Sequence, residues 1–239
     1  MEVLTYNPKE IEDFSNDEIE AFTTAYDIKE KIESKYQVFD KDELLLRDDR
    51  YYNILYPKDG NNLVKCLMEC LPSSDCINVI TISKRGNRQY QSLDEANSRI
   101  DIVLDCDNPE LILCVTGDYM LERAFEVVSK LNKNIRIVYI TNPKILDVNS
   151  KDSLTDEEFM YYFCDLEVVY LFYGYPNIVK SMLYDRRGNF RVLGYNDQVS
   201  AFGGIDENLL VNGLSVERIV DECIDCLNKG KKKKKIKGV

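Results

Sequence analysis

Residues 167–195 read EVVYLFYGYPNIVKSMLYDRRGNFRVLGY. The run from Glu167, EVVYLFYGY, is apolar and rich in β-branched and aromatic residues, which reads as a strand. Pro176 is well placed to open a helix, because a first turn needs neither its missing N–H nor another φ. Asn177–Tyr184 continues as that helix, and FRVLGY, from Phe190, returns as a strand. The same rhythm extends on both sides. Upstream stand a strand from Glu110 (ELILCVTG), an amphipathic helix over Tyr119–Leu131, a strand from Ile135 (IRIVYIT) and a helix over Thr155–Phe163, introduced by the polar cluster Asp152–Asp156. Downstream, Val216–Leu227 forms the last helix. Strands alternating with helices predict an α/β domain with a largely parallel sheet and right-handed crossovers.

Before residue 101 the organisation is less regular. Tyr52–Tyr56 is a short β-rich run stopped by Pro57, KDGNN (58–62) a turn, and Leu63–Leu71 an apolar helix. CINVITIS (76–83) lacks alternation, as a strand covered on both faces does. KRGNR (84–88) is a basic turn, and SLDEANSRI (92–100) reads as a helix capped by Ser92, with Glu95 closing a capping box. Residues 1–50 are acidic and helix-like. Ile19, Phe22, Tyr26 and Ile32 mark one face, and Ser15 with Glu18 could open a capping box. This arm either lies on the body or binds a partner. The expected organisation is an arm (1–50), a partial α/β segment with linker (51–100), the main domain (101–228) and a basic disordered tail (229–239).

A net charge of −11 makes the body repel nucleic acid and anionic membranes. The tail is the exception. Lys231, Lys232, Lys233, Lys234 and Lys235 form a like-charge run that is solvated, or that contacts RNA, acidic surfaces or the nuclear-import machinery. No apolar stretch is long enough to span a membrane, and the acidic N-terminus has no signal-peptide pattern. The eight cysteines lie scattered in apolar segments, which points to reduced, buried thiols and a cytoplasmic location. Cys223 and Cys226 form a C-x-x-C, but it lies within a helix and has no second ligand pair, so it reads as core packing. Cys66 and Cys70, one helical turn apart, read the same way.

Several segments together carry a resemblance: YNILYPKDGNNLVKCLMECLPSSDC, INVITISK, YQSLDEA, LILCVTGDYMLERAFEVV and the 167–195 stretch. They resemble the C-terminal portion of phosphoketolases, thiamine-diphosphate enzymes that split sugar phosphates to acetyl phosphate. The resemblance implies a three-layer domain like the transketolase C-terminal domain, over about residues 101–228, preceded by the end of a pyrimidine-binding-type domain. It implies that Gly117, Asp118, Gly174, Tyr175, Pro176, Gly194 and Tyr195 belong to a structural motif. It also implies that Lys84, beside Arg85 and Arg88, is a vestigial sugar-phosphate contact. Gly117–Asp118 lies between a strand and a helix, and position 119 is Tyr where a thiamine-diphosphate motif has Gly, so the pair reads as a turn. In YGYP, Tyr173 stands where the family has histidine. Lys180 replaces a second histidine, Asn196 a lysine, and VSAFGG (199–204) a threonine-rich loop.

The chain contains no histidine, and the family's acid–base chemistry is largely histidine chemistry. The expectation is therefore a chain that is not an autonomous enzyme and holds no cofactor alone. Thiamine diphosphate and magnesium would enter only with a partner chain. The favoured function is a protein-interaction or regulatory module. The alternative is the non-catalytic subunit of a split phosphoketolase, and a third reading is a sugar-phosphate sensor using KRGNR.

Overall fold

The structure is a computed structural model that describes residues 45–46, 51–74, 76–83, 88–195 and 205–236, with side chains up to residue 230. Apart from Leu45 and Leu46, the acidic arm lies outside the described residues, as do Lys84, Arg85, Asn196 and the 199–204 loop. Compactness places residues 41–239 in one unit.

The strands are β1 (Tyr52–Leu55), β2 (Ile77–Ile80), β3 (Ile100–Leu104), β4 (Leu111–Thr116), β5 (Ile135–Ile140), β6 (Glu167–Phe172) and β7 (Asn189–Leu193). The helices are α1 (Gly60–Cys70), α2 (Asp118–Lys130), α3 (Asp156–Phe163), α4 (Pro176–Met182), α5 (Ile205–Val211) and α6 (Val216–Ile236), with a 3-10 turn at Pro143–Leu146. β3 to β7 form a five-stranded sheet in the order β3-β5-β4-β6-β7. β4, β5, β6 and β7 pair in parallel, and β3 is antiparallel to β5 at the edge.

The sheet buries both faces, and its apolar runs follow from that. Side chains alternate across a strand. Leu111, Leu113 and Val115 of β4 therefore face α2 and α6, with Met120, Leu121, Val127, Ile219 and Cys223. Ile112 and Cys114 face the other way, toward Phe159 and Phe163 of α3, Ile178 and Val179 of α4, and Tyr56. The result is a three-layer α/β domain.

The segment before it forms a separate two-stranded parallel sheet, β1 with β2, and α1 is its crossover. It is fastened to the main domain at one end. Ile54 and Tyr56 lie in the main core, and the Tyr56 N–H donates to the Thr141 carbonyl. Lys58, fully buried, pairs with Asp101 of β3. The Asp59 side chain caps α1 and also accepts from the Tyr90 N–H.

Three expectations need correction. SLDEANSRI forms one turn, not a helix. Glu95 accepts from the Ser92 N–H and hydroxyl, but Asn97 then takes the Arg99 N–H on its side chain and the chain leaves as β3. Short polar side chains that bond local backbone compete with a helix in this way. The tail expected to be disordered from residue 229 is helical to Ile236, because α6 runs through the lysine run. Lysine is a good helix former, and cations suit a helix C-terminus. CINVITIS, expected to be covered on both faces, forms β2 with Ile77 exposed and Asn78–Ile80 only half-buried, and α5 and the 3-10 turn are elements that the sequence reading did not assign.

Candidate functional site

In open α/β sheets ligands bind beyond the carboxyl ends of the parallel strands. Here those ends bring together Gly117 after β4, Tyr173 and Gly174 after β6, and Gly194 and Tyr195 after β7. The Tyr173 N–H donates to the Thr116 carbonyl at 3.0 Å, and the Tyr195 N–H to the Gly174 carbonyl at 2.9 Å. Gly117 has φ +102°, and a Cβ there would run into the Tyr173 side chain. A Cβ at Gly194 would meet the Gly174 and Phe172 carbonyls. Pro176 opens α4 and packs at Gly194, and Tyr175 is the residue before that helix. The motif residues of 174–176 and 194–195 thus form one backbone junction.

Aromatic side chains fill the space over this junction. Tyr173 stacks on Tyr119 at 6.2 Å and meets Tyr195 edge-on at 5.3 Å. The Tyr173 and Tyr195 side chains hydrogen-bond each other, and desolvation pushes both phenols above the usual tyrosine range. Protonated phenols this weakly acidic offer hydrogen bonds and ring faces. They do not exchange protons near neutrality as an imidazole does. Beside them a cavity of about 30 Å³ is lined by Tyr56, Ser83, Gly117, Asp118, Tyr119 and Tyr173. That is room for about one or two water molecules.

Below the junction, the Tyr139 hydroxyl donates to the Tyr56 carbonyl at 2.7 Å and accepts from the Gly117 N–H at 3.1 Å. Tyr139 is fully buried. Thr116 Oγ1 contacts the Tyr170 hydroxyl and donates to the Ile140 carbonyl.

A diphosphate–magnesium site does not fit Gly117–Asp118. The Asp118 carboxylate turns back to accept from the Tyr119 N–H, and the Tyr119 ring stacks on Tyr173 beside it.

Of the basic turn, Arg88 is exposed, its guanidinium 5.8 Å from the Tyr90 ring. Lys180 is exposed on α4 and is not among the residues lining the tyrosine cavity. Cys223 and Cys226 face the core beneath α6, and Cys66 and Cys70 pack with Leu55. Burial pushes the Cys66 and Cys223 thiols up to about 12, so neither is a thiolate nucleophile near neutrality.

Sequence reading missed three features. The first is Tyr139, whose bridging role no local pattern signals. The second is the Lys58–Asp101 pair, because a lysine in a KDG turn reads as surface. The third is the exposed apolar row Val64, Leu67, Met68 and Leu71 on α1, visible in the spacing but masked by the helix's reading as core.

The profile of the XFP C-terminal domain family matches residues 84–237. A probable phosphoketolase of Synechocystis sp. PCC 6803 is 26% identical over 176 residues, covering 66% of this chain and 22% of the relative. The xylulose-5-phosphate phosphoketolase of Lactiplantibacillus pentosus is 26% identical over 165 residues, covering 62% and 21%. The chain thus spans about a fifth of the length of these curated relatives. Among solved structures, transketolase from Leishmania mexicana shares the fold with a TM-score of 0.62 and 13% identity, over 79% of this chain and 27% of that one. A chain described as "Split gene transketolase, inactive beta4 tetramer" does so at 0.57 and 15% identity, over 79% and 62%.

Proposed function

The chain belongs to the XFP C-terminal domain family of phosphoketolases, and from that premise we propose that it is a protein-interaction or regulatory module without catalysis of its own. The observation that carries this reading is the outer face of the β1-α1-β2 unit. Val64, Leu67, Met68 and Leu71 recur at helical spacing and are exposed, Leu71 to 80%, and Ile77 of β2 is exposed as well. Parallel strands occur almost only in larger sheets covered on both faces, and a two-stranded sheet is marginal alone. An apolar row beside such a sheet marks a protein-contact surface. The tyrosine-filled crevice supports the non-catalytic half of the reading, because it replaces proton-exchanging groups with phenols and leaves little volume. The lysine run at the end of α6 is a second contact region, suited to an acidic surface or RNA.

A second reading is favoured by the same unit. Its parallel pair is what the end of a divided sheet would look like, and a partner supplying the other strands would be a chain holding thiamine diphosphate and magnesium. The split-gene transketolase chain gives a two-gene arrangement a precedent within this fold.

The test is affinity purification of the full chain from its native cell, with mass spectrometry, alongside Met68→Glu/Leu71→Glu. The expected result is a stoichiometric partner protein that the exposed-face variant loses. A thiamine-binding partner identifies the split enzyme, and an unrelated partner the repurposed module. A chain recovered alone, or a partner retained by the variant, overturns the docking face.

A further inference from the structure

At the β7 edge of the sheet, opposite β3, lies a cavity of about 500 Å³ between α4, β7, α6 and the turn joining α5 to α6. That volume is within the range of small-molecule sites. Its polar lining is Lys180, Arg191, Asn212, Arg218 and Glu222.

The turn is built for its place. The Gly213 N–H donates to the Leu210 carbonyl and the Leu214 N–H to the Leu209 carbonyl, with Gly213 at φ +69° and Leu209 and Leu214 both buried. This Schellman closure fixes where α6 begins. It therefore fixes where Arg218 and Glu222, one turn apart, stand.

Glu222 is the only carboxylate lining the cavity among the described residues, and it is buried. A buried carboxylate demands charged partners, and Glu222 has two. Arg191 Nη2 from β7 lies 2.7 Å from Oε2, as an ion pair without hydrogen-bond geometry, and Arg218 Nη2 lies 2.7 Å from Oε1. One carboxylate thus holds two guanidiniums from different elements side by side. Each arginine has five N–H donors, and Arg191 and Arg218 remain 46% and 58% exposed. Donors not spent on Glu222 stay accessible, on side chains whose rotamers are already restricted. Restricting them in the free protein reduces the ordering cost that a ligand would otherwise meet.

The charges do not cancel. Lys180, Arg191 and Arg218 against Glu222 leave two positive charges in the cavity lining of a chain whose net charge is −11. A phosphomonoester dianion balances them, and charge-assisted bonds to guanidinium are its strongest form of recognition. The cavity also leaves room beyond a phosphate for an organic body.

We propose that this cavity binds a small phosphorylated metabolite, with Lys180, Arg191 and Arg218 contacting the phosphate and Glu222 positioning the two arginines. The cavity touches the strand-end junction at Pro176 and Gly194 but shares no lining residue with the tyrosine-lined cavity beside Gly117 or with the α1 docking face.

The test is isothermal titration of the full chain at low salt with glycerol 3-phosphate, and competition by inorganic phosphate. Lys180→Gln and Arg218→Gln each remove one exposed cation, and an unchanged urea midpoint shows that the fold is kept. The expected result is saturable one-to-one binding, displaced by phosphate and weakened about tenfold or more by each variant. It should be unaffected when Lys231–Lys235 are replaced by serine. Absence of saturable binding, cavity variants that bind as tightly as the natural chain, or loss of binding with the tail replacement would each overturn the proposal.

Discussion

A single methyl group at Gly117 or Gly194 tests how the strand ends are joined. At Gly117 it would meet the Tyr173 side chain from a positive φ, and at Gly194 two backbone carbonyls. Backbone cannot give way as a flexible side chain does, so Gly117→Ala and Gly194→Ala should each destabilise by about 2 kcal/mol or more, read as a fall in urea midpoint. The sequence marked these glycines only as turn positions after strands, because the groups that constrain them, Tyr173 at Gly117 and the Gly174 and Phe172 carbonyls at Gly194, arrive from other elements. Lys58 was not legible. Its charge placed it on the surface of any sequence-based picture, and only the arrival of β3 from 43 residues away supplies Asp101. Desolvation raises the Asp101 carboxyl above its usual range despite that lysine, a sign of how dry the pair is. Lys58→Ala leaves a buried carboxylate alone and should cost about 3–5 kcal/mol, whereas Lys58→Met with Asp101→Leu should cost much less. Chemical denaturation of both variants separates the two cases.

At the scale of elements, α3 shows how a cap reads out pH. Thr155 accepts from the Glu158 N–H, and the Glu158 carboxylate accepts from the Thr155 N–H at 2.8 Å. That backbone bond holds the Glu158 carboxyl below the usual range. A carboxyl depressed in the folded state contributes fully above its unfolded value of about 4.3 and loses that contribution as pH falls through the folded value. The stability gap between the natural chain and Glu158→Gln should therefore be open at neutral pH and close in acid, as followed by urea unfolding across the acidic range. α6 gives a second prediction. Among its described side chains the last buried apolar one is Leu227, and the helix runs on to Ile236. Removal of residues 231–239 should lower helical circular dichroism yet change stability by no more than about 0.5 kcal/mol. Helices and strands with sustained periodicity were legible, and so was the parallel core. β3 was not, because its first residue, Ile100, was read as the end of a capped helix and Asp101–Leu104 were assigned to no element. α5 was not either, because it spans only seven residues and rests on a turn closure instead of a stripe.

For the whole molecule, the sequence placed a boundary at residue 100 that packing does not respect. Ile54 and Tyr56 share a core with Val138, Tyr170 and Phe172, and Tyr56 meets Phe172 edge-on at 6.1 Å. The β1-α1-β2 unit should consequently melt with the sheet. With sixteen tyrosines and no tryptophan, tyrosine fluorescence and far-ultraviolet circular dichroism should trace one coincident urea transition. Two separate transitions would show that the unit folds on its own. The Tyr139 phenol has a consequence that reaches further. It holds the Gly117 amide and the Tyr56 carbonyl together in a fully buried place, so that amide can meet solvent deuterium only when the molecule opens globally. Its exchange half-life is then a clock for the whole fold. A protein docked on α1 and an anion seated beside β7 would act from opposite ends of the sheet, yet each would slow that one amide by a factor of about 1 + [L]/Kd.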